Sequence, residues 1–183
     1  MAKGELPTPE ELRQLLRYEP ETGKLYWLER PPEMFELERL GKAWNTRWAG
    51  KEGLATRDRD GYLRGDILGG SFFAHRVAWA LTHGDWPTEQ IDHINGQRDD
   101  NRLANLRCVS HAENQRNRSR RRDNAAGRTG VYWYKAYAKW TAAIGVDGRL
   151  IFLGYFDRFE DAVAAREAAE IEHGYHPNHD RLW

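Results

Sequence analysis

The sequence predicts an α+β fold made of two parts with different patterns. The middle of the chain, residues 91–117, is polar and rich in turn-forming residues, whereas apolar residues alternate in three short runs after residue 130. Alternation with a period of two predicts half-buried strands, and an alanine-rich segment after the third run predicts a helix. We therefore expect a first part built around the polar stretch, followed by a small three-stranded antiparallel sheet packed on one helix.

Length, charge and composition narrow the class of protein. The chain has 183 residues, with 28 acidic and 28 basic side chains and a formal net charge of zero. This length allows one domain or two small ones. No transmembrane run and no signal peptide are apparent, so we expect no membrane partner. The single cysteine, Cys108, fits a reducing cytosol.

Residues 1–60 are predicted to form a scaffold for the rest of the chain. Thr8 is expected to begin a helix through a capping box with Glu11. A short strand is expected over residues 24–28, and residues 29–60 are expected to be rich in loops.

Residues 61–73 are predicted to form a hairpin, because glycines at positions 69 and 70 separate two alternating runs. His75 lies in an apolar run typical of a helix, and we interpret it as a core histidine with its hydrogen bonds satisfied. The run contains Phe72, Phe73, Val77, Trp79 and Leu81.

The polar stretch is the most informative part of the chain. Asn and Asp side chains bond to nearby backbone in tight turns, which accounts for Asn95-Gly96. Turn formation does not account for the Asp92-His93 pair just before that turn, or for the arginines after the stretch. The hydrogen-bonding side chains would cost several kcal/mol each if buried without partners; they are Asp92, His93, Asn95, Asp99, Asp100, Asn101, Asn105 and Asn114.

This pattern resembles an HNH endonuclease of the subtype found in phage and intron-encoded homing enzymes, whose last motif residue is Asn. The resemblance covers residues 61–118 and includes the upstream runs 74–79 and 84–87. The matching motif positions are Asp92-His93, then Asn105 in the step Asn105-Leu106-Arg107, then Asn114 after Glu113.

The resemblance implies a ββα-metal nuclease core that cuts double-stranded DNA. In such a core His93 is the general base that activates water, and Asp92 and Asn114 hold a divalent ion. Asn105 braces the loop between them. Sparse oxygen ligands suit Mg²⁺ or Mn²⁺, and we expect no zinc site, since structural zinc takes four Cys or His ligands. Products would carry 5′-phosphate and 3′-hydroxyl ends. A phage or mobile-element gene acting in the bacterial cytoplasm is the expected setting.

Several assignments within this pattern stay open. Asn114 could be an ordinary solvent-facing helix residue, and His111, on the same helical face, is a rival ligand. One active site cuts one strand, so a monomer would nick DNA and a dimer would cut both strands. A ribonuclease, or a DNA-binding protein without catalysis, are the alternatives to a DNA endonuclease.

Arginines crowd the segment directly after the polar stretch, opposed there by Asp123 alone. Such a run is typical of phosphate contacts in nucleic-acid-binding proteins; the alternative is a solvated linker without a partner. We place the nuclease core and this tail at residues 61–122 and a linker at 123–128. The predicted DNA-contacting arginines are Arg116, Arg118, Arg120, Arg121, Arg122 and Arg128.

Residues 129–183 are predicted to form a separate module. Strands are expected over residues 131–134, 137–146 and 149–156, with Asp147-Gly148 as a hairpin turn. Asp157 is expected to cap a helix with Glu160 three residues on, and the helix is expected to reach Gly174. Three strands followed by a helix resemble the apetala-two/ethylene-response-factor DNA-binding domain, over roughly residues 128–174.

Alternation separates two faces of the predicted sheet. The face expected to pack under the helix carries Val131, Trp133, Trp140, Ala142, Ile144, Ile151 and Leu153. The opposite face lacks the arginines with which the resembled family contacts guanine; it carries Tyr132, Tyr134, Thr141, Ala143, Gly145 and Phe152. The predicted phosphate contacts at the edges are Lys135, Lys139 and Arg149. The alternative is a structural mini-domain with no role in DNA binding.

Overall fold

The computed structural model describes residues 6–116, 120, 124, 126–177 and 179–180, with only the backbone of residues 112, 115 and 116. The chain forms two compact units, Met1–Cys108 and Val109–Trp183. Both contain helices and short strands in small sheets, so the α+β class is confirmed. No helix in the described part of the chain is long and apolar enough to cross a membrane. The division after Cys108 falls inside the predicted nuclease core, and the predicted domain limits stay a prediction.

The first unit alternates helices with short strands. One antiparallel sheet contains β1, β2 and β3, a second contains β4, β5 and β6, and β7 pairs with β8. These elements are α1 (Pro9–Leu15), β1 (Leu16–Glu19), β2 (Lys24–Trp27), α2 (Glu38–Trp48), β3 (Glu52–Gly53), β4 (Thr56–Arg57), β5 (Leu63–Ile67), β6 (Gly70–Phe73), α3 (Ala74–His83), β7 (Gln90–His93) and β8 (Leu106–Val109).

The start of α1 shows the predicted capping box. The hydroxyl of Thr8 accepts a hydrogen bond from the backbone N–H of Glu11, and the carboxylate of Glu11 accepts one from the N–H of Thr8 at 2.7 Å. Leu12 and Leu15 then face inward and join a core with residues of β2, β5 and α3. Burial of each such leucine stabilises the fold by about 1.5–3 kcal/mol.

Tyr18 of β1 connects this core to the strands of the polar stretch. It packs against the main cluster and also against a smaller one formed by Ala78, Ile91 and Leu106. Ile91 belongs to β7 and Leu106 to β8, so the small cluster holds these two strands against α3. The N-terminal region is therefore packed directly on the elements that carry the Asp-His pair.

The prediction of a loop-rich segment over residues 29–60 is wrong, because α2 lies there. No side chain caps the start of this helix, so the sequence lacks the capping pattern that would have predicted it. Aromatic packing stabilises α2: the ring of Trp44 lies 5.7 Å from Trp27 and 6.3 Å from Phe35, measured between centroids. The predicted hairpin over residues 61–73 is confirmed, and its strands are β5 and β6.

The second unit contains α4 (His111–Arg116), β9 (Val131–Tyr134), β10 (Lys139–Val146), β11 (Arg149–Phe156) and α5 (Phe159–Glu172). The strands form an antiparallel sheet in the order β11-β10-β9, with α5 packed on one face. The predicted strands and helix are thus confirmed, although β10 begins two residues later than expected. Asp147 and Gly148 both have positive φ, 49° and 76°, as the predicted hairpin turn requires.

The predicted start of the last helix is wrong. Arg158 is the N-cap of α5 and no side chain bonds to the helix start. Asp157 instead accepts a hydrogen bond from Nζ of Lys139 at 2.7 Å. The carboxylate of Asp157 therefore pairs with Lys139 instead of the helix start. The spacing of residues in the sequence does not show that Lys139 lies close to Asp157.

Candidate active site

Strand β7 ends in Asp92 and His93, and both side chains are buried, with 8 % and 3 % of their surface exposed. Ile91 anchors this strand because it packs with Ala78 and Leu106. Burying two ionisable groups side by side costs free energy unless each finds partners. The contacts of this pair therefore define the chemistry of the site.

The imidazole of His93 is enclosed by other rings and by an amide. Its Nε2 lies 3.0 Å from Oδ1 of Asn101. The rings of Tyr62 and His75 pack against it, with centroids at 5.8 and 5.2 Å. Burial lowers the pKa of His93 below the ordinary value of 6.5, although the bond to Asn101 acts in the opposite direction. A histidine with a lowered pKa is neutral at pH 7, and a neutral imidazole can accept a proton.

The carboxylate of Asp92 is held by Arg107 of β8. Nε and Nη2 of Arg107 both donate to Oδ2 of Asp92, at 2.9 and 2.7 Å. A carboxylate oxygen is a hard ligand of the kind that Mg²⁺ prefers. Ligation through Oδ1 would leave the ion pair in place, whereas ligation through Oδ2 would compete with it.

Asn105 joins the two ends of the loop that follows His93. Its Oδ1 accepts a hydrogen bond from the backbone N–H of Asn95 at 2.9 Å, and its Nδ2 donates to the carbonyl of Asp100 at 2.8 Å. Its own carbonyl accepts from the N–H of Ile94 at 2.9 Å. These three bonds give Asn105 the geometry of a brace across the loop.

The turn inside this loop is held by side chains of the same polar stretch. Asn95 accepts from the backbone N–H of Gln97 at 2.8 Å and donates to Asp100 at 2.7 Å, while Gly96 has a positive φ of 76°. Arg102 donates to both oxygens of Asp100, and this pairing is the main reason why the pKa of Asp100 falls to about 2. Asp100 is therefore charged throughout the working range of pH.

Contacts with the β4–β5 hairpin fix the outer side of the loop. Arg57 forms an ion pair with Asp99, and Arg98 donates to the backbone carbonyl of Asp60 at 2.7 Å. The guanidinium of Arg98 also lies over the ring of Tyr62, 5.0 Å from its centroid. Tyr62 in turn contacts His93, so the hairpin and the loop together enclose one side of the imidazole.

His75 of α3 is buried, as the sequence predicted, and its ring contacts that of His93. Its ring stacks on Phe73 with a centroid distance of 5.4 Å. Burial lowers the pKa of His75 to about 3, so it is neutral in the folded protein. One part of the prediction is wrong: Nδ1 of His75 is buried and has no hydrogen-bond partner among the described residues.

Helix α4 carries Asn114 and His111, the two candidates for the last metal ligand. Ser110 begins the helix through a capping box, because its hydroxyl accepts from the N–H of Glu113 at 3.3 Å and its own N–H donates to Glu113 at 2.9 Å. Asp92 belongs to the first compact unit and α4 to the second. The choice between Asn114 and His111 stays a prediction.

Two of the predicted DNA-contacting arginines lie in ion pairs within the second unit. Nε of Arg120 lies 3.2 Å from Oδ2 of Asp180, and Arg128 approaches Asp180 at 3.3 Å and Glu170 at 2.5 Å. These carboxylates are buried, and Glu170 also pairs with the buried Arg166, so the arginines belong to a charge cluster inside the fold. The side chain of Arg116 and all of Arg118, Arg121 and Arg122 lie outside the described residues.

The sheet face opposite α5 is open and aromatic. The predicted faces are confirmed in part, because Val131 and Ala142 pack on Ala162 of α5. Trp133 and Ile151, predicted to lie under the helix, are 45 and 38 % exposed, whereas Thr141 and Ala143 of the predicted open face are buried, and the register shifts between Ala142 and Ala143. Lys135 and Arg149 are exposed at the edges, and Lys139 pairs with Asp157. Large side chains on the open face have between 39 and 55 % of their surface exposed; they are Tyr132, Tyr134, Phe152 and Tyr155.

Sequence patterns did not single out Arg107 and Asn101 as parts of the site. Both contact residues that the motif does include, Asp92 and His93. A signal for Asn101 was present, because the polar stretch contains more hydrogen-bonding groups than its turns require. A signal for Arg107 was the presence of opposite charges on two strands expected to pair.

The donor set fits a hard divalent ion. Within the described ranges no three side chains of His, Cys, Asp or Glu come together. An ion at Asp92 would need few protein ligands beyond this carboxylate and could take water and a DNA phosphate for the rest. Mg²⁺ keeps several waters and accepts few protein ligands, so this chemistry suits it.

Comparison with known proteins identifies the class of the central segment. Residues 72–116 match the protein-family model described as HNH endonuclease. This segment contains β7, β8 and the Asp92-His93 pair, so the similarity to HNH endonucleases covers the elements that hold this pair. Its two strands are followed along the chain by a helix, which is consistent with an HNH nuclease core.

Among solved structures, the chain is similar to the HNH homing endonuclease I-HmuI, whose structure is described as showing DNA binding and cleavage. The identity is 19 % over 90 % of this chain and 88 % of that chain, with a TM-score of 0.37. A likeness at this level carries no further argument. No curated protein matches this chain at a significant level.

Proposed function

We propose that this protein is a metal-dependent endonuclease that hydrolyses phosphodiester bonds of double-stranded DNA. One observation carries the proposal: the buried His93, neutral because burial lowers its pKa, follows the buried carboxylate of Asp92 at the end of β7, and that charge acts on its imidazole, within the segment that matches the HNH endonuclease family. This places a proton acceptor next to a hard oxygen ligand, the two groups that metal-assisted hydrolysis of a phosphodiester needs.

Each residue of the site has a role in this reaction. His93 takes the proton of the attacking water, because its imidazole is neutral at working pH. Asp92 and Asn114 would hold the ion, Arg107 fixes the orientation of Asp92, and Asn105 keeps the loop in shape. A bound Mg²⁺ or Mn²⁺ would supply positive charge at the phosphate and at the leaving 3′ oxygen.

The second unit is proposed to bind DNA. Its exposed edge cations Lys135 and Arg149, together with the arginines of residues 116–122, would contact phosphates. The aromatic sheet face supplies apolar contact area beside them, since exposed apolar patches of this kind are typical of interaction sites.

The direct test is cleavage of supercoiled plasmid with Mg²⁺, with Mn²⁺ and with a chelator. Nicked circles would indicate a monomeric nicking enzyme, and linear product formed at once would indicate paired active sites. DNA ligase seals nicks only where a 5′-phosphate meets a 3′-hydroxyl, so resealing tests the proposed product ends. A single-stranded RNA substrate in parallel separates a ribonuclease from a DNA enzyme.

A second candidate function is DNA binding without catalysis. The ion pair of Arg107 with Asp92 favours it, because this pair balances the charge of the carboxylate without a metal ion. A protein of this kind would retard plasmid or duplex fragments in a gel while leaving them intact with either metal. That result would replace the proposed nuclease function.

A further inference from the structure

The N-terminal hairpin of β1 and β2 contacts the loop beside His93 in three ways. The hydroxyl of Tyr18 donates to the backbone carbonyl of Asn101 at 2.7 Å. The N–H of Leu103 donates to the carbonyl of Pro20 at 3.3 Å. Burial raises the pKa of Tyr18 to about 12, so its hydroxyl keeps the donated proton at any working pH.

Gly23 makes the third contact, and only a glycine fits there. Its φ of +75° is a conformation that other residues rarely adopt. A Cβ at this position would lie 2.5 Å from the backbone nitrogen of Arg102 and 2.5 Å from the carbonyl carbon of Asn101. The turn of the hairpin is therefore packed backbone to backbone against the segment that carries Asn101.

Asn101 links the hairpin to His93. Its side chain is 1 % exposed, and its Oδ1 faces Nε2 of His93 at 3.0 Å. An amide oxygen can only accept, so Nε2 must carry the hydrogen. In a neutral imidazole the other nitrogen, Nδ1, is then the one with the lone pair.

We propose that Asn101 is a positioning residue, which holds His93 in the tautomer with hydrogen on Nε2 and leaves Nδ1 as the proton acceptor, and that the β1–β2 hairpin holds Asn101. This inference rests on the proposed nuclease function, which makes the imidazole the general base. It gives the N-terminal region a part in the reaction, beyond that of a scaffold. Nδ2 of Asn101 is buried without a hydrogen-bond partner in the described part of the chain, which fits a residue retained for its oxygen.

The test uses two substitutions at position 101 in the full-length protein. Asn101→Ala removes the acceptor, whereas Asn101→Asp keeps an accepting oxygen there and replaces the unpartnered nitrogen with a second oxygen that brings a negative charge. Long-range ¹H–¹⁵N spectra report which imidazole nitrogen carries hydrogen, with the His93 signals assigned from their loss in His93→Ala. We expect hydrogen on Nε2 in wild type and Asn101→Asp, and a mixture of tautomers in Asn101→Ala.

Single-turnover plasmid cleavage provides the second measurement. Loss of a partner that orients a reacting group typically costs about 10- to 100-fold, and we expect Asn101→Ala to lose that much rate with unchanged DNA affinity. Asn101→Asp should recover a large part of the rate. Wild-type tautomer and rate in Asn101→Ala would overturn the proposal, as would hydrogen on Nδ1 in the wild-type protein.

Tyr18→Phe tests the hairpin with a milder change and keeps the proposal testable if Asn101→Ala does not fold. It deletes one hydroxyl and leaves the ring in the core, so we expect a several-fold loss of rate and partial loss of the Nε2 tautomer. Tyr26→Phe, on the same hairpin, is the matched control and should match wild type. Equal behaviour of the two variants would show that the hairpin has no part in positioning.

The spectra do not depend on cleavage. If His93→Ala cuts DNA as wild type does, the proposed role of His93 as base fails, while the tautomer measurement still decides whether Asn101 orients the ring. The two proposals can therefore fail separately.

Discussion

The candidate functional regions of the two compact units differ in the groups that they bury and expose. The first unit buries polar side chains, among them Asp92, His93 and Asn101, around one loop. The second unit exposes large aromatic ones, such as Tyr134 and Phe152, on one face of its sheet. Buried polar groups cost free energy unless they form hydrogen bonds. Exposed apolar patches are typical of interaction sites, because covering them with a partner is favourable.

This difference separates the two functions that the proposed nuclease would have to combine. In the loop, polar groups bond to fixed partners, so the imidazole has a defined orientation and charge. On the sheet, the aromatic side chains lie on the face away from α5 and are exposed, so they can adapt to a surface. We therefore assign the chemical step to the first unit and a share of the DNA affinity to the second, and the following experiments test that assignment.

The largest effect is expected for His93→Ala. Loss of a general base typically lowers the rate by about 10²- to 10⁴-fold, whereas DNA affinity should stay near that of wild type. Rates of plasmid cleavage and gel retardation measure the two quantities. His83→Ala is the matched control, since His83 is an exposed histidine of the same unit that stacks on Trp79. A His93→Ala variant with wild-type turnover would refute the assigned base.

Asp92→Asn should have the next largest effect. It removes the formal charge of the proposed metal ligand, so we expect about a 10- to 100-fold loss of activity that higher Mg²⁺ partly restores. Titration of the cleavage rate with Mg²⁺ measures this shift. Asn114→Ala and His111→Ala are compared in the same titration, and the variant that needs more metal identifies the second ligand.

Protonation of His75 should affect stability rather than chemistry. Burial lowers its pKa from the ordinary value of 6.5 to about 3 in the folded protein, so the unfolded chain binds the proton first as pH falls. Stability contributed by this group is complete above pH 6.5 and is lost progressively as pH drops toward 3. Between pH 7 and pH 5 we expect a loss of about 2 kcal/mol from this group.

Urea unfolding of wild type and His75→Phe at both pH values measures this loss. The phenylalanine variant cannot titrate there, so its stability should fall by less over the same interval. His93 also has a lowered pKa and contributes in the same direction to both proteins. An identical pH dependence in the two proteins would show that His75 is not buried in its neutral form.

Substitutions on the aromatic face should lower DNA affinity without changing the fold. Tyr155→Ala and Phe152→Ala each remove an exposed ring, and apolar surface covered by a partner is worth about 25 cal/mol per Å², so we expect roughly a several-fold loss of affinity for each. Binding isotherms on duplex DNA, with circular dichroism as the check on folding, measure the effect. Ile171→Ala, an exposed apolar residue of α5, is the control. Unchanged affinity in both ring variants would leave a structural role for this face.

The smallest and most specific effect concerns the arginines of residues 118–122. Replacing Arg118, Arg121 and Arg122 with Gln should weaken binding to all DNA sequences alike, because phosphate contacts do not read sequence. Each lost contact should flatten the log–log salt dependence by about 0.9. Arg120→Gln should change the slope less, because Arg120 pairs with Asp180. An unchanged slope in the triple variant would identify this run as a solvated linker.

Local signals explain which elements could be predicted. The capping box of Thr8 and Glu11, the hairpin at Asp147-Gly148 and the alternating strands of the second unit depend on neighbours in sequence, and each is present. The helix α2 was missed because no cap marks its start and aromatic contacts with Trp27 and Phe35 stabilise it. Asp157 was assigned as a cap wrongly, because Lys139 on another strand binds it.

Residue type and spacing were enough to establish the order of most elements and the chemical groups of the polar stretch, since both are local properties of the chain. How those groups are used depends on the folded protein. Folding buries His93 and lowers its pKa, pairs Asp92 with Arg107, and brings the N-terminal hairpin to Asn101 across 83 positions of the chain. Such contacts depend on which surfaces the core brings together, and burial gives a polar group its protonation state and orientation only once the chain has folded.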